Sequence, residues 1–224
     1  MKVVILAGGF GTRLGEHTKH IPKPMIKICG KPILIHIINH YYKYGFKDFI
    51  IATGYKQEVI KKYFKKKFKF KVKIIFTGKK TMTGGRILRL KKYLNEPFML
   101  TYGDGVSNIN LKKLLSFHNK NKKIATLSAV RPPARFGAIK INKNTVKYFK
   151  EKSKLDEGWI NGGFFVMDPK ILNYIKNDTT FLEKEPLVNL SKKNQLNAYK
   201  HHGYWQCMDT YRDKLIIESH FKKK

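Results

Sequence analysis

The sequence predicts an α/β fold in which helices cover both faces of a mixed, mostly parallel sheet. Three observations carry this. Apolar runs at 3–7 and 49–52, and one at 98–102 broken only by Thr101, have the length and continuity of strands buried on both faces. Segments with helical spacing separate them, and glycines follow where a strand would end. Strand and helix alternating in this way build βαβ units with right-handed crossovers, hence a Rossmann-like three-layer sandwich.

In chain order, the run 3–7 ends in Gly8-Gly9-Phe10-Gly11-Thr12-Arg13. Pro32 stands where a helix can begin, Ile33, Leu34, Ile37, Ile38 and Tyr41 share one helical face, and Gly45 ends it. The strand at 49–52 leads to a helix at 58–64, with Val59, Tyr63 and Phe64 on one side. Residues 68–74 alternate apolar groups with lysines, a strand with one wet face. Thr83 is positioned to cap a helix over 87–94, which precedes the strand at 98–102. A helix at 111–118 and a strand at 124–130 follow. Strands at 138–141, 146–149 and 164–167 are expected at the edge of the sheet, and Asp168-Pro169 starts a further helix. No linker or repeat divides the chain, so 1–224 is read as a single domain.

The chain has 224 residues, 42% hydrophobic and 13% aromatic, enough for one packed core. Lys and Arg total 47 against 15 acids, giving +32, a field that draws polyanions. The excess is nearly all lysine, spread over the whole length beside abundant Ile, Asn, Phe and Tyr. That is the residue usage of AT-rich codons, so the charge by itself names no partner. The lysine-rich stretch 61–73 carries Phe64, Phe68 and Phe70 at alternate spacing. Its period of two places phenylalanines inside and lysines in water, and no specific nucleic-acid partner is expected. Cys29 and Cys207 form no CxxC pair, the apolar start is too short for a signal peptide, and no run reaches a membrane-spanning length of about 18 residues. These points fit a cytoplasmic protein with no membrane partner. Both cysteines are read as packed thiols. His36 and His40 lie one turn apart without the Glu of a zinc-protease helix, so they are read as structural.

The chemistry concentrates at the first glycine loop. Three glycines after a buried strand let backbone N–H groups approach phosphate oxygens. Arg13 adds a bidentate fork and Lys23 a point charge. A Walker loop is absent, and a dinucleotide fingerprint fails because its third glycine falls late, at Gly15, with no acid near 25–31. Tyr102-Gly103-Asp104-Gly105 places a carboxylate at the carboxyl end of a strand, where open α/β sheets bind ligands. Asp209 is a distant second carboxylate.

Gly8-Gly9-Phe10-Gly11-Thr12-Arg13-Leu14 followed by Pro22-Lys23-Pro24-Met25 resembles the signature of the sugar-phosphate nucleotidylyltransferases. Thr81-Met82-Thr83-Gly84-Gly85-Arg86, Arg135-Phe136-Gly137-Ala138, Glu151-Lys152, Asn161-Gly162-Gly163 and Trp205-Gln206-Cys207-Met208-Asp209-Thr210 extend the resemblance to the whole chain, in the family's order. The resemblance implies the nucleotide-diphospho-sugar transferase fold, with a nucleotide-binding part over about 1–130 and a sugar-phosphate part over about 131–224. It implies that a sugar 1-phosphate is joined to the α-phosphate of a nucleoside triphosphate with release of pyrophosphate. The segment 81–86 favours the cytidylyl branch, with CTP and glucose 1-phosphate as substrates, in the synthesis of bacterial surface polysaccharide.

Carried over residue by residue, the resemblance makes Arg13, Lys23, Asp104 and Asp209 catalytic, with Mg²⁺ held by Asp104 and Asp209. The nucleotide would be bound by Leu6, Ala7, Gly8, Gly9, Phe10, Gly11, Thr12, Arg13, Lys23, Thr81, Gly84, Arg86 and Gly103. The sugar phosphate would be bound by Gly137, Glu151, Lys152, Asn161 and Gly162. Ser153 stands where the family has Pro, and the chain is shorter than the family after 76 and after 218. A homo-oligomer is compatible with this and left open. Two other readings stay open: a sister enzyme using another triphosphate or sugar, and a basic nucleic-acid-binding protein on an old fold.

Overall fold

The structure, a computed structural model, describes residues 1–132, 138–150 and 158–223. β1 (Lys2–Ala7) is followed by two 3₁₀ helices, Thr12–Thr18 and Lys23–Met25, and by a small hairpin of β2 (Lys27–Ile28) and β3 (Lys31–Pro32). Next come α1 (Ile33–Lys43), β4 (Asp48–Thr53), α2 (Gln57–Tyr63), β5 (Lys71–Phe76) and α3 (Thr83–Leu88). A 3₁₀ turn, Lys91–Tyr93, leads to β6 (Phe98–Tyr102), β7 (Gly105–Ser107), α4 (Leu111–Asn121) and β8 (Ala125–Val130). The chain finishes with β9 (Ala138–Asn142), β10 (Thr145–Lys150), β11 (Ile160–Met167), α5 (Glu185–Lys192), β12 (Leu196–His201), β13 (Trp205–Cys207) and α6 (Tyr211–Lys222).

Seven strands form one sheet in the order β12-β8-β11-β6-β1-β4-β5. β11 alone runs against its neighbours, antiparallel to both β6 and β8, and the other contacts are parallel. The mixed, mostly parallel sheet is therefore as the sequence implies. Alternate residues of β1 face two cores: Val3, Ile5 and Ala7 join α1 and Ile60 of α2 on one side. Val4 and Leu6 join Ile87, Leu187 and Leu190 on the other. α1 shows why the pattern works. Pro32 introduces it, and Ile33, Leu34, Ile37, Ile38 and Tyr41, recurring at helical spacing, are all buried. Phe64, Phe68 and Phe70 pack on the first core while the lysines between them are exposed, which supports the structural reading of the basic stretch. Among the described residues no helix is long and apolar enough to cross a membrane.

Three expectations are corrected. The run 164–167 is not at the edge: β11 sits between β6 and β8, and Phe164, Phe165, Val166 and Met167 are buried. The strands at 138–141 and 146–149 do not join the main sheet; β9 and β10 pair with each other as a separate ribbon. An alternating or apolar run identifies a strand and carries no information about its partner. The helix expected over 87–94 is α3, which begins at Thr83 and ends at Leu88. Met82, not Thr83, is its N-cap, and the Thr83 hydroxyl is used by a distant segment instead.

His118, on α4, is 5% exposed and its Nδ1 lies 2.9 Å from Thr126 Oγ1. Burial holds its imidazole below the ordinary value of 6.5. As pH falls, the unfolded chain therefore takes up this proton first. The associated stability is complete above pH 6.5 and is lost as pH drops through the lower folded value. His201 is lowered by burial too and has the same sign. Thermal melts from pH 7.5 to 5 should show a falling midpoint, and His118→Asn should flatten part of that slope. An unchanged slope in the variant would show that His118 titrates alike in the folded and the unfolded chain.

Candidate active site

The chain leaves β1 toward β4 and β5 and later returns to β6 on the other flank of β1. The carboxyl ends of β1 and β6 thus form a topological switch point, the place where open α/β sheets bind ligands. A cavity of about 520 Å³ opens there. Its wall includes Leu6 and Ala7 of β1, the loop Gly8 to Thr12, Lys23, Thr81, Arg86, Gly103, Asp104, Asn161 and Asp209.

The glycine loop is held by its carbonyls. Gly8 O accepts from Arg86 Nη2 at 2.9 Å and from the Tyr55 N–H at 3.2 Å, and Gly11 O accepts from the Leu14 N–H at 3.0 Å. Gly11 adopts φ +69°, a left-handed conformation that favours glycine. Arg86, expected among the nucleotide-binding residues, lines the cavity and is also committed to the backbone. It is 4% exposed, and besides Gly8 O its Nη1 donates to Thr53 O, Thr77 Oγ1 and Gly78 O at 3.2, 2.9 and 2.8 Å. Burial, with Arg89 nearby, pulls its guanidinium down to about 10, so it remains charged at neutral pH. It is a tie between the loop and the ends of β4 and β5. A Cβ on Gly8 would lie 2.1 Å from Arg86 Nη1, which explains the glycine.

Asp104 follows β6, and Asp209 follows β13. β7 and β13 pair antiparallel with Gly105 opposite Cys207, so their flanking residues emerge at the same end. Asp104 O also accepts the Met208 N–H at 2.9 Å. Asp213, inside the capping box of α6, accepts the N–H groups of Asp209 and Thr210 at 3.0 and 2.8 Å and sets that turn. The two carboxylates converge on one ammonium: Lys23 Nζ lies 2.6 Å from Asp104 Oδ2 and 2.7 Å from Asp209 Oδ1. Burial would pull Lys23 down, but the two carboxylates outweigh it and hold it above its ordinary value. Among the described residues no group of three His, Cys, Asp or Glu could hold a metal. Two converging carboxylates beside an open cavity nonetheless fit a hard divalent ion, which takes few protein ligands when substrate phosphates and water complete its shell.

Asn161 lines the cavity as expected. Gly84 and Gly162 do not. A Cβ on Gly84 would lie 2.7 Å from Thr180 O, and one on Gly162 would lie 2.7 Å from Ser128 Oγ. Both glycines serve close packing, Gly162 also accepting Trp205 Nε1 at 2.7 Å. Gly137, Glu151 and Lys152 lie outside the described residues, as does the side chain of Arg13. His36 and His40 each place Nε2 2.9 Å from a backbone carbonyl, of Ile28 and Ile109, as structural residues do. Sequence reasoning missed Lys79, Lys80, Tyr102, Phe181 and Trp205 as wall residues. Tyr102 and Trp205 stood inside quoted motifs and were available; Phe181 carries no local signal.

A family model described as nucleotidyl transferase matches residues 2–211. The chain is 45% identical, over 248 aligned positions, to the glucose-1-phosphate cytidylyltransferase of Salmonella typhimurium, covering 100% of this chain and 96% of that one. The chain belongs to the nucleotidyl transferase family. Mannose-1-phosphate guanylyltransferase 1 of Arabidopsis thaliana is 32% identical, with 100% of this chain and 66% of that one covered. The crystal structure of HddC from Yersinia pseudotuberculosis complexed with GMP-PN superposes with a TM-score of 0.78 at 28% identity, covering 98% and 99% of the two chains.

In this nucleotidyl transferase the two thiols are unlike. Cys207 lines the cavity beside Asp209, and burial together with Asp209, Asp104 and Asp213 pushes it up to about 12. Cys29 is exposed on the β2–β3 turn, contrary to the packed thiol expected, because the tight turn points it outward. Thiolate is the reacting species. Iodoacetamide at pH 7.5 should therefore label Cys29 and spare Cys207, as read by peptide mass; labelling of Cys207 at a comparable rate would refute this environment.

Proposed function

We propose that this transferase moves the cytidylyl group of CTP to α-D-glucose 1-phosphate, giving CDP-glucose and pyrophosphate. The observation that carries the chemistry is the meeting of Asp104, Asp209 and Lys23 at the foot of the glycine loop. The choice of substrates is supported by the end-to-end identity with the Salmonella enzyme.

An oxygen of the sugar phosphate attacks the α-phosphorus in line, the new P–O bond forms, and the bond to the β-phosphate breaks. Little covalent help is needed, so positioning and charge neutralisation do the catalysis. Residues 1–130 hold the nucleotide, with the loop Gly8 to Thr12 along the triphosphate and Arg13 on the departing pyrophosphate. Lys23 offsets phosphate charge. Residues 131–224 hold the sugar phosphate, with Lys152 on its phosphate and Glu151 and Asn161 on its hydroxyls. Asp104 and Asp209 would hold Mg²⁺, which when bound would neutralise phosphate charge. The reaction is assigned to the cytoplasm.

Incubation with Mg²⁺, an equimolar mixture of CTP, UTP, GTP and dTTP, and glucose 1-phosphate should yield CDP-glucose as the main product by mass. A different nucleotide sugar would replace the assignment by a sister activity. No product, with tight nucleic-acid binding of steep salt dependence, would favour the basic binding protein.

A further inference from the structure

Glu183 lies outside every motif that points to the site, yet its carboxylate joins two walls of the cavity. Oε1 accepts from the Tyr102 hydroxyl at 2.5 Å and Oε2 from Thr83 Oγ1 at 2.6 Å. Thr83 Oγ1 also accepts the Leu182 N–H at 2.9 Å. The segment carrying Glu183 runs along α3: the Met82 N–H donates to Asp178 O at 2.8 Å and the Gly84 N–H to Thr180 O at 3.0 Å. One limb of the carboxylate therefore fixes the start of α3, next to Thr81 and Met82 of the nucleotide wall.

The other limb ends at Asn161. Tyr102 stands at the carboxyl end of β6 with its ring against Gly163, where a Cβ would lie 2.5 Å from Tyr102 Cδ2. Its oxygen accepts from Asn161 Nδ2 at 3.3 Å, and Asn161 Oδ1 accepts the Gly163 N–H at 2.9 Å. The amide thus spends one of its two donors and one of its two acceptor positions inside the protein and presents the remaining ones to the cavity. The tyrosine can accept from Asn161 because its own proton is given to Glu183. Without that acceptor the phenol proton is free to turn toward the amide, where it competes with the Asn161 Nδ2–H contact and loosens the hold on the amide.

We propose that Glu183 is a positioning residue that couples the nucleotide wall to the sugar wall, orienting Thr83 through one oxygen and, through Tyr102, the amide of Asn161 through the other. The inference rests on the assignment of Asn161 to the sugar side under the proposed function. Glu183 itself touches neither substrate. It is exposed, so its replacement leaves the core intact.

The test is a set of steady-state measurements with both substrates varied, joined to calorimetric titration of CTP into the enzyme without sugar phosphate. Glu183→Ala should raise KM for CTP and for glucose 1-phosphate about tenfold each, with kcat changed less than about threefold, the size of one lost charge-assisted hydrogen bond per wall. Tyr102→Phe should raise only the sugar-phosphate KM, and Thr83→Val only that of CTP. Glu183→Gln keeps an acceptor for Tyr102 and should restore the sugar-phosphate KM to near wild type. Glu185→Ala, an exposed carboxylate paired with Lys176, serves as the control. Unchanged KM values in Glu183→Ala, a fall in kcat alone, or a Glu183→Gln variant as impaired on the sugar side as alanine would overturn the proposal. Should wild-type protein form no product from this pair, the proposed function falls. Calorimetry then decides the coupling: CTP binding about tenfold weaker in Glu183→Ala supports it, and unchanged binding overturns it.

Discussion

Replacing Asp104 by alanine is expected to lower turnover by roughly 10²- to 10³-fold, as loss of one preorganised electrostatic contact does. Asp104 is half of the carboxylate pair and one of two partners of Lys23, whose side chain is 11% exposed. Removing it takes away one of the two carboxylates proposed to hold the divalent ion and leaves the ammonium held from one side, by Asp209. Asp104→Asn keeps the shape and the hydrogen-bond acceptor but loses the charge, so it should be impaired nearly as much. Pyrophosphate release at saturating CTP and glucose 1-phosphate is the measurement, with a thermal melt to confirm folding. Turnover within about twofold of wild type in a folded Asp104→Ala would remove the carboxylate pair from the mechanism.

Arg86→Ala should cost about 3 kcal/mol or more of stability, because it orphans several buried acceptors at once. In a chain of this size that corresponds to a fall of roughly 10 °C in the thermal midpoint. The acceptors are Gly8 O, Thr53 O, Thr77 Oγ1 and Gly78 O, so the glycine loop loses its anchor and CTP affinity should fall as well. The decisive check is non-additivity. Gly8→Ala forces a Cβ into the guanidinium and should be strongly destabilising alone. In the Arg86→Ala background that collision is gone, and the same change should be nearly neutral. Additive losses would show that the two residues do not act on each other.

The glycine loop was legible in the sequence because its parts are contiguous: a buried run, three glycines and a nearby lysine are a local signal. The pairing of Asp104 with Asp209 had no local signal. Asp104 and Asp209 belong to distant parts of the chain, and it is the register of β7 against β13 that brings them together. The resemblance supplied that pair; spacing alone would not. The backbone contacts of Arg86 were hidden for a related reason. An arginine after two glycines near a phosphate loop looks like an anion contact, and its burial against backbone carbonyls arises from β4 and β5, which the motif does not contain. Glu183 was invisible, since it acts through hydroxyls contributed by α3 and β6. Among the strands, 164–167 was expected at the edge although all four residues are buried; an apolar run is the same for any strand covered on both faces, so its place in the sheet could not be read.

The antiparallel strand inside the sheet has a consequence for biosynthesis. Until residues 160–167 have left the ribosome, β6 and β8 have no partner along the edges that β11 later fills. The first 130 residues, though they supply the whole glycine loop, would emerge as a four-stranded sheet with the β6 margin open and β8 unpaired, rather than as a module able to fold and bind by itself. Splitting the gene near codon 130 should yield an insoluble first fragment, rescued by co-expression with the second, which carries the wedge.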